Sequence, residues 1–151
     1  MTDSEELRDL YRQTVLEHSR HPHNFRRLDT PDRSAEGHNQ LCGDKIRLYV
    51  QMDGNRIDDL TYEATACAIC LASASIMSEQ LRGADERDAR QRVADVGAAL
   101  DSRSTDTTLT GDMAALAGVR SYPSRVRCAL LPWRTLRAAL DAETEAVSTE
   151  S

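Results

Sequence analysis

Apolar residues recur at helical spacing near the start of the chain, at Leu7, Leu10, Tyr11 and Val15, behind an acidic first turn of Glu5 and Glu6. Asp3 or Ser4 can cap such a helix, because a short oxygen-bearing side chain accepts from the first free backbone N–H groups. The pattern breaks at Ser19-Arg20-His21-Pro22-His23-Asn24. Residues 20–40 are polar and hold Pro22, Pro31 and Gly37, so a long surface loop is expected there. From Lys45 the period changes to two. Ile46, Leu48, Val50 and Met52 share one face, Lys45, Arg47, Tyr49 and Gln51 the other. Asp53-Gly54-Asn55 is a hairpin turn signal, and a second strand from about Arg56 to Thr65 alternates through Leu60, Tyr62 and Ala64.

Behind the hairpin the chain reads as helical. A small, apolar run from Ala68 to Met77 predicts a buried helix stopped at Gly83. Asp85 to about Leu100 predicts a more exposed helix with Val93, Val96 and Leu100 as its apolar edge. Residues 101–110 are nearly all Ser, Thr and Asp, a polar connection to a short helix around Asp112–Ala117. A last helix carries Val126, Ala129, Leu130, Trp133, Leu136 and Leu140. Strands followed by helices, without βαβ alternation, predict an α+β fold: a small antiparallel sheet packed against helices. One domain is expected over residues 1–142, with 143–151 a disordered tail, because that stretch lacks an apolar pattern.

Composition narrows the classes. With aromatics at 4 %, the core of this 151-residue chain must be filled by Ala, Leu, Val and Ile. A net charge of −6 argues against nucleic acid as a partner. No apolar run of spanning length exists, and the acidic N-terminus lacks the regions of a secretory signal, so no membrane partner and a cytoplasmic location are expected. In a reducing compartment, four cysteines point to metal ligands or reactive thiols rather than disulfides.

Cys42 lies in Leu41-Cys42-Gly43-Asp44, where Gly43 allows a sharp turn that would converge the Cys42 and Asp44 side chains. A metal half-site and a loop-edge thiol beside a solvated Asp both fit that tetrapeptide. Cys67 falls between the second strand and the buried helix, where a helix N-terminus favours the thiolate. Cys70 completes a Cys-x-x-Cys without the βαβ context of a redox motif or the second pair of a zinc finger, and a buried packing thiol fits it as well. Cys128 is flanked by Arg125 and Arg127. Pro132 cannot donate to the carbonyl four residues back, so Cys128 is expected at or just before the start of the last regular helix. Were Cys42, Cys67, Cys128 and Asp44 to converge, three thiolates and a carboxylate would suit tetrahedral zinc or an iron–sulfur cluster.

Over roughly residues 5–140 the chain resembles the U-type iron–sulfur assembly proteins, the family of IscU and SufU. The resemblance rests on Leu10-Tyr11-Arg12, the segment Glu17–Asn24, Cys42-Gly43-Asp44, Cys67–Ser75, Gly118-Val119 and Pro123–Leu130, in that order. It implies the fold of the SufE/NifU type and places Cys42, Asp44, Cys67 and Cys128 on the metal or cluster ligand positions. Arg127 stands where IscU-like scaffolds usually have His, and Asp85–Thr110 looks like the insertion of SufU-like members. That sub-type implies a zinc-bound sulfurtransferase taking persulfide sulfur from a SufS-type cysteine desulfurase, for downstream Suf assembly proteins, with Cys42 as acceptor. A scaffold that assembles and hands on a [2Fe–2S] cluster, and a structural zinc module, are the alternatives. Cys70 stands where the family often has Ser. His18, His21, His23 and His38 are expected to be solvated loop residues, with His38 the first candidate for alternative ligation.

Overall fold

The computed structural model describes residues 4–101, 109, 111–142 and 146–148. The order is α1 (Ser4–Arg20), β1 (Arg33–Asn39), β2 (Asp44–Asp53), β3 (Arg56–Thr65), α2 (Ala68–Leu81), α3 (Glu86–Ala99), α4 (Gly111–Leu116), a 3₁₀ segment (Ala117–Ser121), α5 (Pro123–Leu140) and β4 (Val147–Ser148). The fold is α+β, as expected. The sheet runs β3-β2-β1-β4; its three long strands are antiparallel, and β4 adds a short parallel edge, so the sheet is mixed.

The β2–β3 hairpin follows its hydrophobic alternation. Ile46, Leu48, Val50, Ile57, Leu60 and Tyr62 are all fully buried, and a register shift at Gln51/Met52 adds one residue to β3 near the turn. α2 is the most enclosed helix. It packs between α1 and α5, and nine of its residues are buried. Trp133, the single tryptophan, is 1 % exposed and donates its indole N–H to Ser73 Oγ at 3.0 Å, so the largest core residue keeps its polar atom satisfied. No described helix is long and apolar enough to cross a membrane.

Five local expectations are corrected. The supposed loop over residues 20–40 contains β1, whose buried positions are Ala35, Gly37 and Asn39. Hydropathy misses this strand because its inward residues are small or polar. A Cβ at Gly37 would sit 2.1 Å from Thr135 Oγ1 and 2.9 Å from Leu131 Cδ1, so α5 lies directly on a bare strand backbone. Cys128 does not begin the last helix. Pro123 takes the first turn, where a proline is tolerated, and Cys128 lies further in, with Pro132 accommodated in the interior. Leu10 is not part of the buried stripe but 49 % exposed, because α1 turns Tyr11, Thr14, Val15 and His18 inward. His18 is not a solvated loop residue: it is buried on α1, its Nδ1 2.8 Å from Ser75 Oγ and its Nε2 2.7 Å from Asp112 Oδ2, tying α1 to α2 and α4. In the expected tail, Val147 and Ser148 pair with Gly37 and His38. The polar connection at 102–108, the cap at Asp3 and residues 143–145 and 149–151 lie outside the described residues.

Candidate metal and sulfur site

The site begins with a turn. Asn39 and Asp44 are direct cross-strand partners, and the intervening residues 40–43 reverse the chain. Gly43 takes φ +70°, in the left-handed region that favours glycine, and its N–H donates to the Gln40 carbonyl at 3.2 Å. This turn brings the side chains of Cys42 and Asp44 together, as the tetrapeptide predicts. Asp44 is 2 % exposed, and its Oδ1 accepts the Cys67 backbone N–H at 2.7 Å.

The other half of the site comes from helices. Cys67 is the N-cap of α2; its extended backbone leaves the sulfur facing the first turn, where it accepts the Cys70 N–H at 3.5 Å. Cys67 Sγ is 3.7 Å from Asp44 Oδ2. Cys128, fully buried on α5, has its sulfur 3.1 Å from that of Cys42. One donor atom each from Cys42, Asp44 and Cys128 lies within 4.8 Å of the others. Cys67 stands outside that trio but joins it through Asp44 and through a hydrogen bond with Cys128. The four residues singled out in the sequence therefore come together, three as a tight group and one at its edge. Among the described residues no histidine enters the group.

Electrostatics divides the thiols. The Cys67 thiol is pulled down to about 7, chiefly because Cys128 donates to its sulfur, with the N–H groups of Cys70 and Ile69 helping against burial and Asp44. The Cys128 thiol is held well above its usual range for the reciprocal reason, reinforced by burial and by Cys42. The pair thus favours one thiolate, on Cys67, beside a retained proton on Cys128. Cys70 is fully enclosed, and burial pushes its thiol far up, which makes it a packing residue. Arg125, exposed to solvent, donates to Cys42 Sγ at 3.5 Å.

A buried carboxylate among three sulfurs is unfavourable by itself and suits a bound cation. Three sulfurs and a carboxylate oxygen are a donor set zinc accepts, so these residues fit that ion. The same set could ligate an iron–sulfur cluster.

Two neighbours escaped the sequence reading. Tyr11, on α1, stacks on Tyr122 with ring centroids 5.8 Å apart, and burial followed by Tyr122 pushes its phenol up to about 12. The phenol therefore stays neutral beside the thiols. It reaches this place because Gly118 has no Cβ, which would lie 2.9 Å from Tyr11. Asn39, fully buried, donates its Nδ2 to Cys128 Sγ at 3.5 Å. Its signal was hidden with β1: only the ladder places it opposite Asp44. Leu41, next to Cys42 in sequence, is 72 % exposed, and Tyr122, stacked on Tyr11, 43 %.

The chain is similar to known proteins along most of its length. The family model for the NifU-like N terminal domain matches residues 10–129. The zinc-dependent sulfurtransferase SufU of Bacillus subtilis is 32 % identical over 144 residues, 95 % of this chain and 97 % of that one. The iron–sulfur cluster assembly scaffold protein IscU of Streptococcus pyogenes is 30 % identical, covering 93 % of this chain and 88 % of that one. A crystal structure of a scaffold protein for the SUF system from Fervidobacterium islandicum superposes with a TM-score of 0.80 at 31 % identity, covering 87 % of this chain and 97 % of that one.

Proposed function

We infer the activity from one premise: this chain belongs to the NifU-like N terminal domain family, the U-type iron–sulfur assembly proteins. It is a zinc-bound sulfur-transfer protein that accepts persulfide sulfur from a SufS-type cysteine desulfurase and passes it to downstream Suf assembly proteins in the cytoplasm. The observation that carries this reading is the convergence of Cys42, Asp44 and Cys128 within 4.8 Å, with Cys67 bonded at their edge. Likeness to a zinc-dependent sulfurtransferase along nearly the whole of both chains supports zinc as the resident ion.

Asp44, Cys67 and Cys128 would hold the metal from rigid elements, with Cys42 as the fourth ligand. Bound zinc keeps its sulfurs as thiolates at neutral pH. The chain's own residues do the rest. Cys42 sits on a turn whose neighbouring Leu41 faces solvent, so its sulfur can meet an incoming persulfide. The Cys42 thiolate attacks the outer sulfur of the desulfurase persulfide; the new S–S bond forms on Cys42 as the donor's S–S bond breaks, and the desulfurase cysteine leaves as thiolate. Sulfur oxidation states are conserved, so no external oxidant enters. Arg125, 3.5 Å from Cys42 Sγ, steadies the negative charge during this exchange. The exposed apolar side chains of Leu41 and Tyr122, with the exposed residues of the 21–32 loop, are the surface offered to the desulfurase.

Sulfur-labelled cysteine, the desulfurase and single Cys→Ser variants test the reading. Label on Cys42 in protein holding about one zinc per chain is the expected result. Label on Cys67 with Cys42→Ser unaffected overturns the assignment. Protein purified without air that is brown, with iron and sulfide in place of zinc, favours the scaffold reading, to which the similarity with scaffold IscU points.

A further inference from the structure

Asn39 has no part in the transfer described above, yet it is placed as few polar residues are. It ends β1, faces Asp44 across the ladder and is completely enclosed. Its carboxamide is used by halves. Nδ2 donates to Cys128 Sγ at 3.5 Å, while Oδ1, equally sealed from water, has no hydrogen-bond partner. Oδ1 has lost its water without gaining a partner, so the hydrogen bond this side chain does make is the one to the sulfur. The half that is satisfied is the half aimed at the sulfur.

The two sulfurs 3.1 Å apart are thereby made unequal. Cys128 donates across that gap to Cys42, and each sulfur also receives one N–H donor, of different kinds. Cys128 has a short amide fixed in the interior, whereas Cys42 has the guanidinium of Arg125, which is exposed on a long flexible stem. An N–H donor held on a sulfur lone pair withdraws electron density from it, weakens it as a nucleophile and fixes its orientation as a ligand. A donor that can swing into solvent does neither permanently.

Resting on the sulfur-transfer reading, we propose that Asn39 is a positioning and specificity-determining residue: its buried amide holds Cys128 as the retained sulfur, leaving Cys42 as the one that reacts. The residue touches neither persulfide nor substrate and acts only through Cys128.

The test uses the full-length zinc-loaded protein and the variants Asn39→Ala, Asn39→Asp and Asn39→Ser. Alkylation by iodoacetamide is followed at Cys42 and Cys128 separately by peptide mass spectrometry, and the cobalt-substituted forms give the sulfur-to-metal charge-transfer band. In the unaltered protein Cys42 is alkylated first. In the Ala and Asp variants the preference for Cys42 over Cys128 falls by about tenfold, in line with the loss of an outer-shell partner of a ligand, and the charge-transfer band moves to lower energy. Serine, which keeps a donor, restores part of both. A merely structural role would change stability and leave the labelling ratio and the band in place; that result overturns the inference. If neither the Ala nor the Asp variant folds, Asn39 is structural and the inference is equally overturned. Unaltered protein that holds no zinc and accepts no sulfur sinks the function and this inference together, whereas unaltered protein that does both, beside variants indistinguishable from it, sinks this inference alone.

Discussion

The two halves of the site are built on opposite terms. One half is a strand turn: Cys42 sits in the bend after β1, half-buried, with Leu41 beside it 72 % exposed. The other half is helical: Cys67 caps α2, and Cys128 is enclosed on α5 at the centre of the packing. Asp44 belongs to the strand side by sequence but to the helical side by bonding, since it accepts the Cys67 N–H at 2.7 Å. On the proposed reading the site must both keep a metal and hand on sulfur, which needs unequal ligands. Rigidity on three sides and exposure on one supply that inequality within a small domain.

The largest effect is expected where the halves are riveted together. Asp44→Ala removes a carboxylate donor and the acceptor of the Cys67 N–H, so zinc measured per chain should fall from about one to near none, and sulfur acceptance with it. Retention of zinc by that variant would mean the trio is not the metal site. Next comes the seam between β1 and α5. Gly37→Val forces side-chain atoms into Thr135 and Leu131 and should destabilise the protein by roughly 2–3 kcal/mol in urea unfolding, partly recovered when combined with Thr135→Ala. Cys42→Ser should separate the halves functionally: it abolishes sulfur acceptance while metal affinity drops less than for Cys128→Ser in competition with a chelator.

Two smaller effects probe the helical side. Tyr11 has its phenol pushed up to about 12 from 10.0, so folding favours the neutral form. The stability it contributes is complete below pH 10 and lost as pH rises through about 12. Tyr11→Phe should flatten the fall of unfolding stability across that interval; an unchanged slope would assign the fall to another tyrosine. Cys70→Ala should do least. It should cost about 1 kcal/mol of packing and leave zinc content and sulfur acceptance unchanged, since the thiol is enclosed and neutral.

Legibility followed the same division. The β2–β3 hairpin was plain because Ile46, Leu48 and Val50 alternate with charged or polar neighbours. β1 was not, because its inward positions are Ala35, Gly37 and Asn39, and what buries them is the close approach of α5, a tertiary fact. The Cys42-Gly43-Asp44 turn could be read from local backbone physics, and so could Cys67 as a helix N-cap with a lowered thiol. The place of Cys128 could not. A rule against interior prolines shifted the expected helix start, whereas α5 carries Pro132 buried in its middle and gives up the N–H that would bond the Cys128 carbonyl. His18 was misplaced for a related reason: its burial depends on Ser75 and Asp112, 57 and 94 residues away in sequence.

The short parallel contact of Val147 and Ser148 with Gly37 and His38 has a practical side. It covers part of the free edge of β1, where unpaired backbone groups would otherwise invite strands from other molecules. It also holds Ser148 one strand position from Asn39. A polyhistidine purification tag appended there would hang imidazoles close to the sulfur ligands and compete for the very ion whose stoichiometry is to be counted. Carrying the tag elsewhere, or cleaving it before metal analysis, keeps that count meaningful.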